Sequence, residues 1–325
     1  MDSEYPIKPL DFDGISTYPL ASRKSKVHAG MFGKPMDGSE NIPGFVSKLP
    51  HILAAESLRT LIRAIFYAKA SGKPLIWGLG GHVIKVGLGP ILNDLMQSGF
   101  ITGIAMNGSA AIHDFEVALQ GTTSEEVEEQ IGDGRFGMAR ETGEYMNAAI
   151  NAAAASAVGL GEGLGRFIAN GAEKGIAFQE RASSLLSEAY LRKIPVTVHV
   201  AIGTDIIHTH PQASGEALGE TTYRDFRLFC SMTRDLDGGG VYLNVGSAVI
   251  LPEVFLKAVS VVRNLGHGLE EFTTANLDFI QHYRPTQNVL KRPTRNSGQS
   301  IALTGHHEIM IPLIAAALKG SLDKE

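Results

Sequence analysis

The residues of this chain with the most chemistry fall into six short polar clusters, each where an apolar run gives way to a helical segment. The first is Gly78-Leu79-Gly80-Gly81-His82. Glycines in such a turn let backbone N–H groups approach a phosphate at a helix N-terminus, although Val83 spoils a clean dinucleotide-type spacing. Asn107-Gly108-Ser109 is the second, with His113 and Asp114 a turn further on. The third spreads over 197–211 and contributes His199, Asp205, His208 and His210. Asn244, Gly246 and Ser247 precede a helical segment carrying Glu253, and Thr273-Thr274-Ala275-Asn276 is followed by Asp278. The sixth is His306-His307-Glu308.

Two chemistries suit this set. Turn glycines, Asn, Ser and Asp suit a polar organic ligand, with Asn276 and Asp278 able to meet ribose hydroxyls or an amine. Imidazoles and carboxylates are also the usual ligands of zinc and iron, so His199, His208, His210 and His306 form an alternative metal set, that of a metal-dependent hydrolase or lyase; a non-catalytic ligand sensor on the same fold is the other alternative. An H-x-H pair such as His208 and His210 arises often by chance, and the organic ligand ranks first.

The clusters require a scaffold that presents strand ends side by side. Short apolar runs alternate with helical patterns: a strand in 74–81 with helix 83–98, a strand in 99–107 with helix 110–120, then strands near 194–202, 240–244, 269–275 and 301–303. That alternation predicts an α/β fold, a doubly wound and mostly parallel sheet with helices on both faces. In such sheets ligands bind outside the carboxyl ends of the strands. Residues 1–48 read as an N-terminal arm, and 49–325 as one α/β domain with a helical insertion at 121–193. Glycine, 37 of 325 residues, exceeds the usual ~7% and fits many tight turns.

Composition narrows the function. With 44% hydrophobic residues and a formal net charge of −5, disorder is excluded as the main state, and bulk charge makes no case for nucleic acid or membrane surfaces. The single cysteine, Cys230, excludes a disulfide framework and a Cys-rich zinc site. No apolar run approaches the ~18–20 residues of a membrane span. The acidic start lacks a signal-peptide pattern. The expectation is a cytoplasmic protein binding a small molecule.

The stretch from Ile76 to Asp114, the segment Ser184 to Asp205, Phe272-Thr273-Thr274-Ala275-Asn276, Tyr283-Arg284-Pro285 and Ile309-Met310-Ile311-Pro312-Leu313 together resemble the deoxyhypusine synthases. The resemblance covers about residues 50–120 and 180–318. It implies a Rossmann-like, NAD-binding fold and transfer of an aminobutyl group from a polyamine such as spermidine through an imine. It also implies a homotetramer, or at least a dimer, with sites near a subunit interface. On this reading Gly80, Gly81, His82, Asn107, Gly108, Ser109, Asn276 and Asp278 face the cofactor. Asp205, with Glu253 and Glu308, supplies negative charge for a cationic amine, joined in the substrate site by His208 and His210. The family's catalytic lysine sits in a Trp-Gly-Lys context; Lys291 is the nearest candidate, without the Trp. The family's Lys-His-His after the strand ending at Asn244 is Ser247-Ala248-Val249 here, and its terminal Asp-Ala-Ser turn is His306-His307-Glu308.

His306 and His307 then stand at the head of the closing helix, whose apolar face should include Ile309, Ile311 and Leu313. The positive end of a helix dipole favours neutral imidazole, which can accept a proton or bind a metal. At least one of the two is therefore expected to share a pocket with His82 and Asp205, as a general base or ligand.

Overall fold

A computed structural model describes residues 4–322. Along the chain run α1 (Ile42–Lys48), α2 (Leu53–Ala70), β1 (Leu75–Leu79), α3 (Gly81–Lys85), α4 (Gly89–Gln97), β2 (Gly103–Asn107) and α5 (Gly108–Gln120). The insertion holds α6 (Val127–Gln130), α7 (Arg140–Ala155), α8 (Leu160–Ala169) and α9 (Leu185–Arg192). Then follow β3 (Val196–His199), α10 (Gly215–Arg234), β4 (Gly240–Val245), α11 (Ile250–Asn264), β5 (Phe272–Asp278), α12 (Tyr283–Pro285) with a π turn over Thr286–Lys291, β6 (Gln299–Thr304) and α13 (His307–Leu322).

The six strands form one sheet in the order β3-β2-β1-β4-β5-β6, and every pair is parallel. A parallel sheet needs crossovers that cover both faces, so its inner strands read as continuous apolar runs. The alternation of side chains then assigns the faces. Trp77 points into a core with Leu61, Ile65, Leu95 and Phe115, while its neighbour Ile76 points into a second core with Phe229, Tyr242 and Phe255. Tyr242 stacks on Phe255 at 3.9 Å between ring centroids, and the Trp77 indole donates to the Phe100 carbonyl at 3.1 Å. Only the edge strand β6 alternates, burying Ile301 and Leu303 and exposing Ala302.

Sequence expectations shift at three places. The arm expected through residue 48 gives way earlier: the Asn41 side chain accepts from the Gly44 amide at 2.9 Å and starts α1, whose Val46 is in the core. The helix expected over 83–98 is two helices, because Gly87 sits at φ +77° and Pro90 opens α4. β5 lies three residues later than its expected span, so Asn276 and Asp278 belong to the strand. Register explains this: Asn276 pairs with Asn244, and the Asn244 amide donates to the Asn276 side-chain oxygen at 2.7 Å, satisfying two polar groups inside the sheet.

Two buried carboxylates fasten the insertion to the body. Asp114 on α5 accepts from the Ser184 hydroxyl and from the Leu185 and Leu186 amides at the start of α9. Asp225 on α10 accepts from the Gly161 amide of α8 and the Val198 amide of β3. Burial pushes their pKa values up, to about 6 and about 7.

Candidate functional site

Strand order reverses between β1 and β4, so the topological switch point lies at their carboxyl ends, where an open α/β sheet binds its ligands. The Gly80 amide donates to the Val245 carbonyl at 2.9 Å, prolonging the β1–β4 pairing into the turns. A Cβ on Gly80 would stand 2.0 Å from the Gly246 carbonyl oxygen, so glycine is required there by backbone approach. His307, only 1% exposed, lies over Gly246 and donates from Nε2 to the Leu277 carbonyl at 3.1 Å. Its Nδ1 is left as a buried acceptor without a partner. The His82 ring is 5.6 Å from that of His307 and 5.8 Å from Phe279, and Phe279 stacks on His306 with an interplanar angle of 9°. Burial lowers the His82 pKa, with His307 adding to the effect.

A second group of residues adjoins the first across Gly81. A Cβ there would meet Ser109 Oγ at 2.3 Å and His113 Cδ2 at 3.1 Å. Asn107 caps α5 by accepting from the Ala110 amide at 2.9 Å. The Asp205 carboxylate presses on Gly108, where a Cβ would lie 2.2 Å from its Oδ2. Around this helix start is a cavity of about 190 Å³ lined by Lys85, Ser109, His113, Glu116, Glu125 and Asp205, among others. His113 Nδ1 is 2.7 Å from the Thr123 hydroxyl, which donates to Glu116 Oε2; Thr142 donates to Glu116 Oε1 at 3.0 Å. Burial raises the pKa of Glu116 and Asp205 and lowers that of His113 to about 4.

The remaining sequence candidates are dispersed. His199 is buried against Phe229 with Nε2 3.0 Å from Thr197 Oγ1, and burial drives its pKa to about 3. His208 Nδ1 accepts from the Gly203 amide, whereas His210 donates to the Gly137 carbonyl and packs on Gly143. The four-histidine metal set is thus not assembled: His199 and His210 are spent on core contacts and His306 on Phe279. Among the described residues no group of three or more His, Cys, Asp or Glu is placed to hold a metal ion. Glu253 is engaged by Lys257, Arg284 and Asn288, so its charge is already neutralised. Glu308 is exposed beside His306.

Asn276 links Asn244 to Gln281, and Asp278 accepts from the Phe279 amide. Lys291 is exposed on the β5–β6 crossover, three residues after Asn288, which donates to Glu253 at the start of α11. Two residues beyond Lys291, the Pro293 carbonyl shares the Arg263 guanidinium with that of Leu269, ahead of β5. On α13, Ile311 is buried but Ile309 is 65% exposed, so the expected apolar face is narrower.

Sequence reading missed Glu116, Thr123, Glu125, Lys85 and Phe279. Ser109, His113 and Glu116 at i, i+4 and i+7 were the available signal, since that spacing puts them on one helix face. Thr123-Ser124-Glu125-Glu126 reads as a helix N-terminus, and nothing in that pattern shows that a turn returns Thr123 and Glu125 to α5.

No family model and no curated protein matches the sequence. Solved structures do match. The ternary complex of AgrE with ornithine and NAD+ superimposes with a TM-score of 0.53 at 14% identity, over 82% of this chain and 33% of AgrE. Unliganded AgrE gives 0.53 at 15%, over 81% of this chain and 32% of AgrE. A deoxyhypusine synthase candidate from Entamoeba histolytica gives 0.50 at 12%, over 89% of this chain and 96% of its own length. These likenesses establish the fold. The chain spans about a third of AgrE, so AgrE's activity does not transfer with the architecture.

Proposed function

We propose that the protein is a nicotinamide-dinucleotide-dependent enzyme that oxidises a small amine. One observation carries the substrate half: Asp205, Glu116 and Glu125 line a single cavity, and none is in ion-pair distance of a Lys or Arg among the described residues. Among the described residues, Lys85 is the one Lys or Arg lining the same cavity, outside ion-pair distance of all three, so the surplus of carboxylates favours a ligand that brings positive charge. At ~4 Å and an effective dielectric of ~20, each such pairing is worth roughly 4 kcal/mol before desolvation.

The cofactor half is supported by the 3-2-1-4-5-6 strand order and by the NAD+ complex of a protein with this fold. The residues present fit such a group. Phe279, 44% exposed and stacked on His306, offers a flat face to a planar ring, and two buried polar atoms at the switch point, His307 Nδ1 and Asn244 Oδ1, have no partner. Gly80, Gly81, His82, Ser109, His306 and His307 would hold it. Asn107 and Asn276 have their side chains committed to a helix cap and a strand cross-link. When bound, the dinucleotide supplies a hydride acceptor.

Asp205 and Glu116 would orient the ammonium group, and the closed turns at Gly80 and Gly246 would keep water from beneath it. Transfer of an aminobutyl group through a lysine, which the family resemblance implies, is not included, because Lys291 is exposed on the β5–β6 crossover and is not among the residues lining the cavity. Calorimetric titration with NAD+ tests the cofactor, and NADH fluorescence with linear diamines against diols of equal length tests the substrate. Binding of NAD+ and turnover confined to amines are expected. Absence of NAD+ binding, or equal turnover of the diols, overturns the proposal.

A further inference from the structure

We propose that His113 is the proton acceptor of the cavity at the start of α5, held in the accepting tautomer by a relay through Thr123 to Glu116. The inference rests on the amine-oxidation reading and names a residue for it. A hydroxyl has one proton. The Thr123 hydroxyl gives its proton to Glu116 Oε2, so its oxygen can only accept from His113, 2.7 Å away. The proton of the neutral imidazole is thereby fixed on Nδ1, and the Nε2 lone pair is free. Thr142, from α7, clamps the other Glu116 oxygen at 3.0 Å and prevents the carboxylate from turning away.

The ring edge bearing Nε2 carries Cδ2, which lies over Gly81 beside Ser109: a Cβ on Gly81 would stand 3.1 Å from Cδ2 and 2.3 Å from Ser109 Oγ, and both Ser109 and His113 line the cavity. A base that is anchored by a polar partner on its far nitrogen and open on its near one is the arrangement general-base catalysis requires. The charged groups facing it come from every wall: Lys85 from α3, Glu116 on its own helix, Glu125 from the segment after α5, and Asp205 from the loop after β3. The ligand class is a primary ammonium compound small enough for about 190 Å³.

In the step assigned to His113, the ammonium N–H bond breaks and its proton passes to Nε2. The electron pair stays on nitrogen, and a dinucleotide held at the switch point would supply the acceptor for the hydride that the adjacent carbon loses as the C=N bond forms. The imidazolium so formed donates through Thr123 toward Glu116, whose negative charge stabilises it.

Nitrogen-15 NMR of histidine-labelled protein tests the relay without any cofactor. The Nδ1–H tautomer is expected for His113 in wild type and in Thr123→Ser, and its loss in Thr123→Val. With NAD+ and 1,4-diaminobutane, Thr123→Val should lower kcat at least tenfold with little change in KM, Thr123→Ser should stay within about threefold, and His113→Gln should lose turnover at least a hundredfold. An Nε2–H tautomer in wild type overturns the proposal, as does wild-type turnover in His113→Gln. If wild type turns over no amine yet His113 keeps its tautomer and its signals shift on adding 1,4-diaminobutane, the redox reading fails and the cavity assignment stands. If the signals do not shift, both are overturned.

Discussion

Asp225 on α10 and His199 on β3 are both buried, and they respond to pH in opposite senses. Asp225 has its pKa raised by burial to about 7 from 3.8, so the folded state holds a proton that the unfolded chain releases. Stability from this group is therefore present at low pH and lost as pH climbs from about 3.8 toward 7, at up to ~1.4 kcal/mol per pH unit. Asp225→Asn removes that slope, so its unfolding free energy should gain on wild type between pH 4.5 and 7.5; a constant gap across that range counts against the assignment. His199 has its pKa lowered to about 3, so its contribution falls as pH drops below ~6.5. In the cavity, Asp205→Asn is expected to weaken binding of 1,4-diaminobutane about tenfold, or roughly 1.4 kcal/mol, while leaving NAD+ affinity within twofold; calorimetry of both ligands checks it.

At the scale of elements, the site depends on how two turns and one helix start are built. Gly80→Ala would drive a Cβ to 2.0 Å from the Gly246 carbonyl, and backbone cannot yield as a side-chain tip does. A loss of ~1–3 kcal/mol or more is expected in denaturant melts, with weaker NAD+ binding. Asn107→Ala should be milder. It removes the cap of α5 and costs ~1 kcal/mol, whereas Asn107→Asp should retain most of the stability because a carboxylate also caps and favours the helix N-terminus. A melt placing Asn107→Asp below Asn107→Ala argues against the capping role.

For the whole molecule, the sheet and its two cores leave the N-terminal segment aside. Residues 4–30 are exposed throughout, including Ile7, Leu10, Phe12 and Leu20 at 70% or more. Because they bury little in one copy, deleting residues 1–28 should leave the unfolding free energy of a monomer within about 0.5 kcal/mol of the full chain. Measuring stability against protein concentration separates the alternative: a larger loss that grows with concentration shows that these side chains pack on a second copy. The described residues include no helix long and apolar enough to cross a membrane.

The sequence by itself determined the class of fold and the places where chemistry gathers. Periodicity is a local property: alternating apolar runs and helical stripes, punctuated by Gly80, Gly108 and Gly246, already specify parallel strands whose carboxyl ends carry polar residues. The assignment of roles among those residues is not local. His199 and His210 differ from His113 only in what surrounds them, and the four-histidine metal set dissolves because Phe229, Gly137 and Phe279 each claim a member. Lys291 is exposed on the β5–β6 crossover, between Asn288, which donates to Glu253 at the start of α11, and Pro293, whose carbonyl accepts from Arg263 near its end, a placement that spacing along the chain does not reveal. Thr123 and Glu125 read in the sequence as part of a helix N-terminus, and they reach His113 and the cavity that Asp205 lines only because the turn after α5 folds back across it. Spacing along the chain places a residue on its element. Burial, hydrogen-bond partners and pKa depend on the neighbours that packing brings from elsewhere, and only the tertiary structure supplies them.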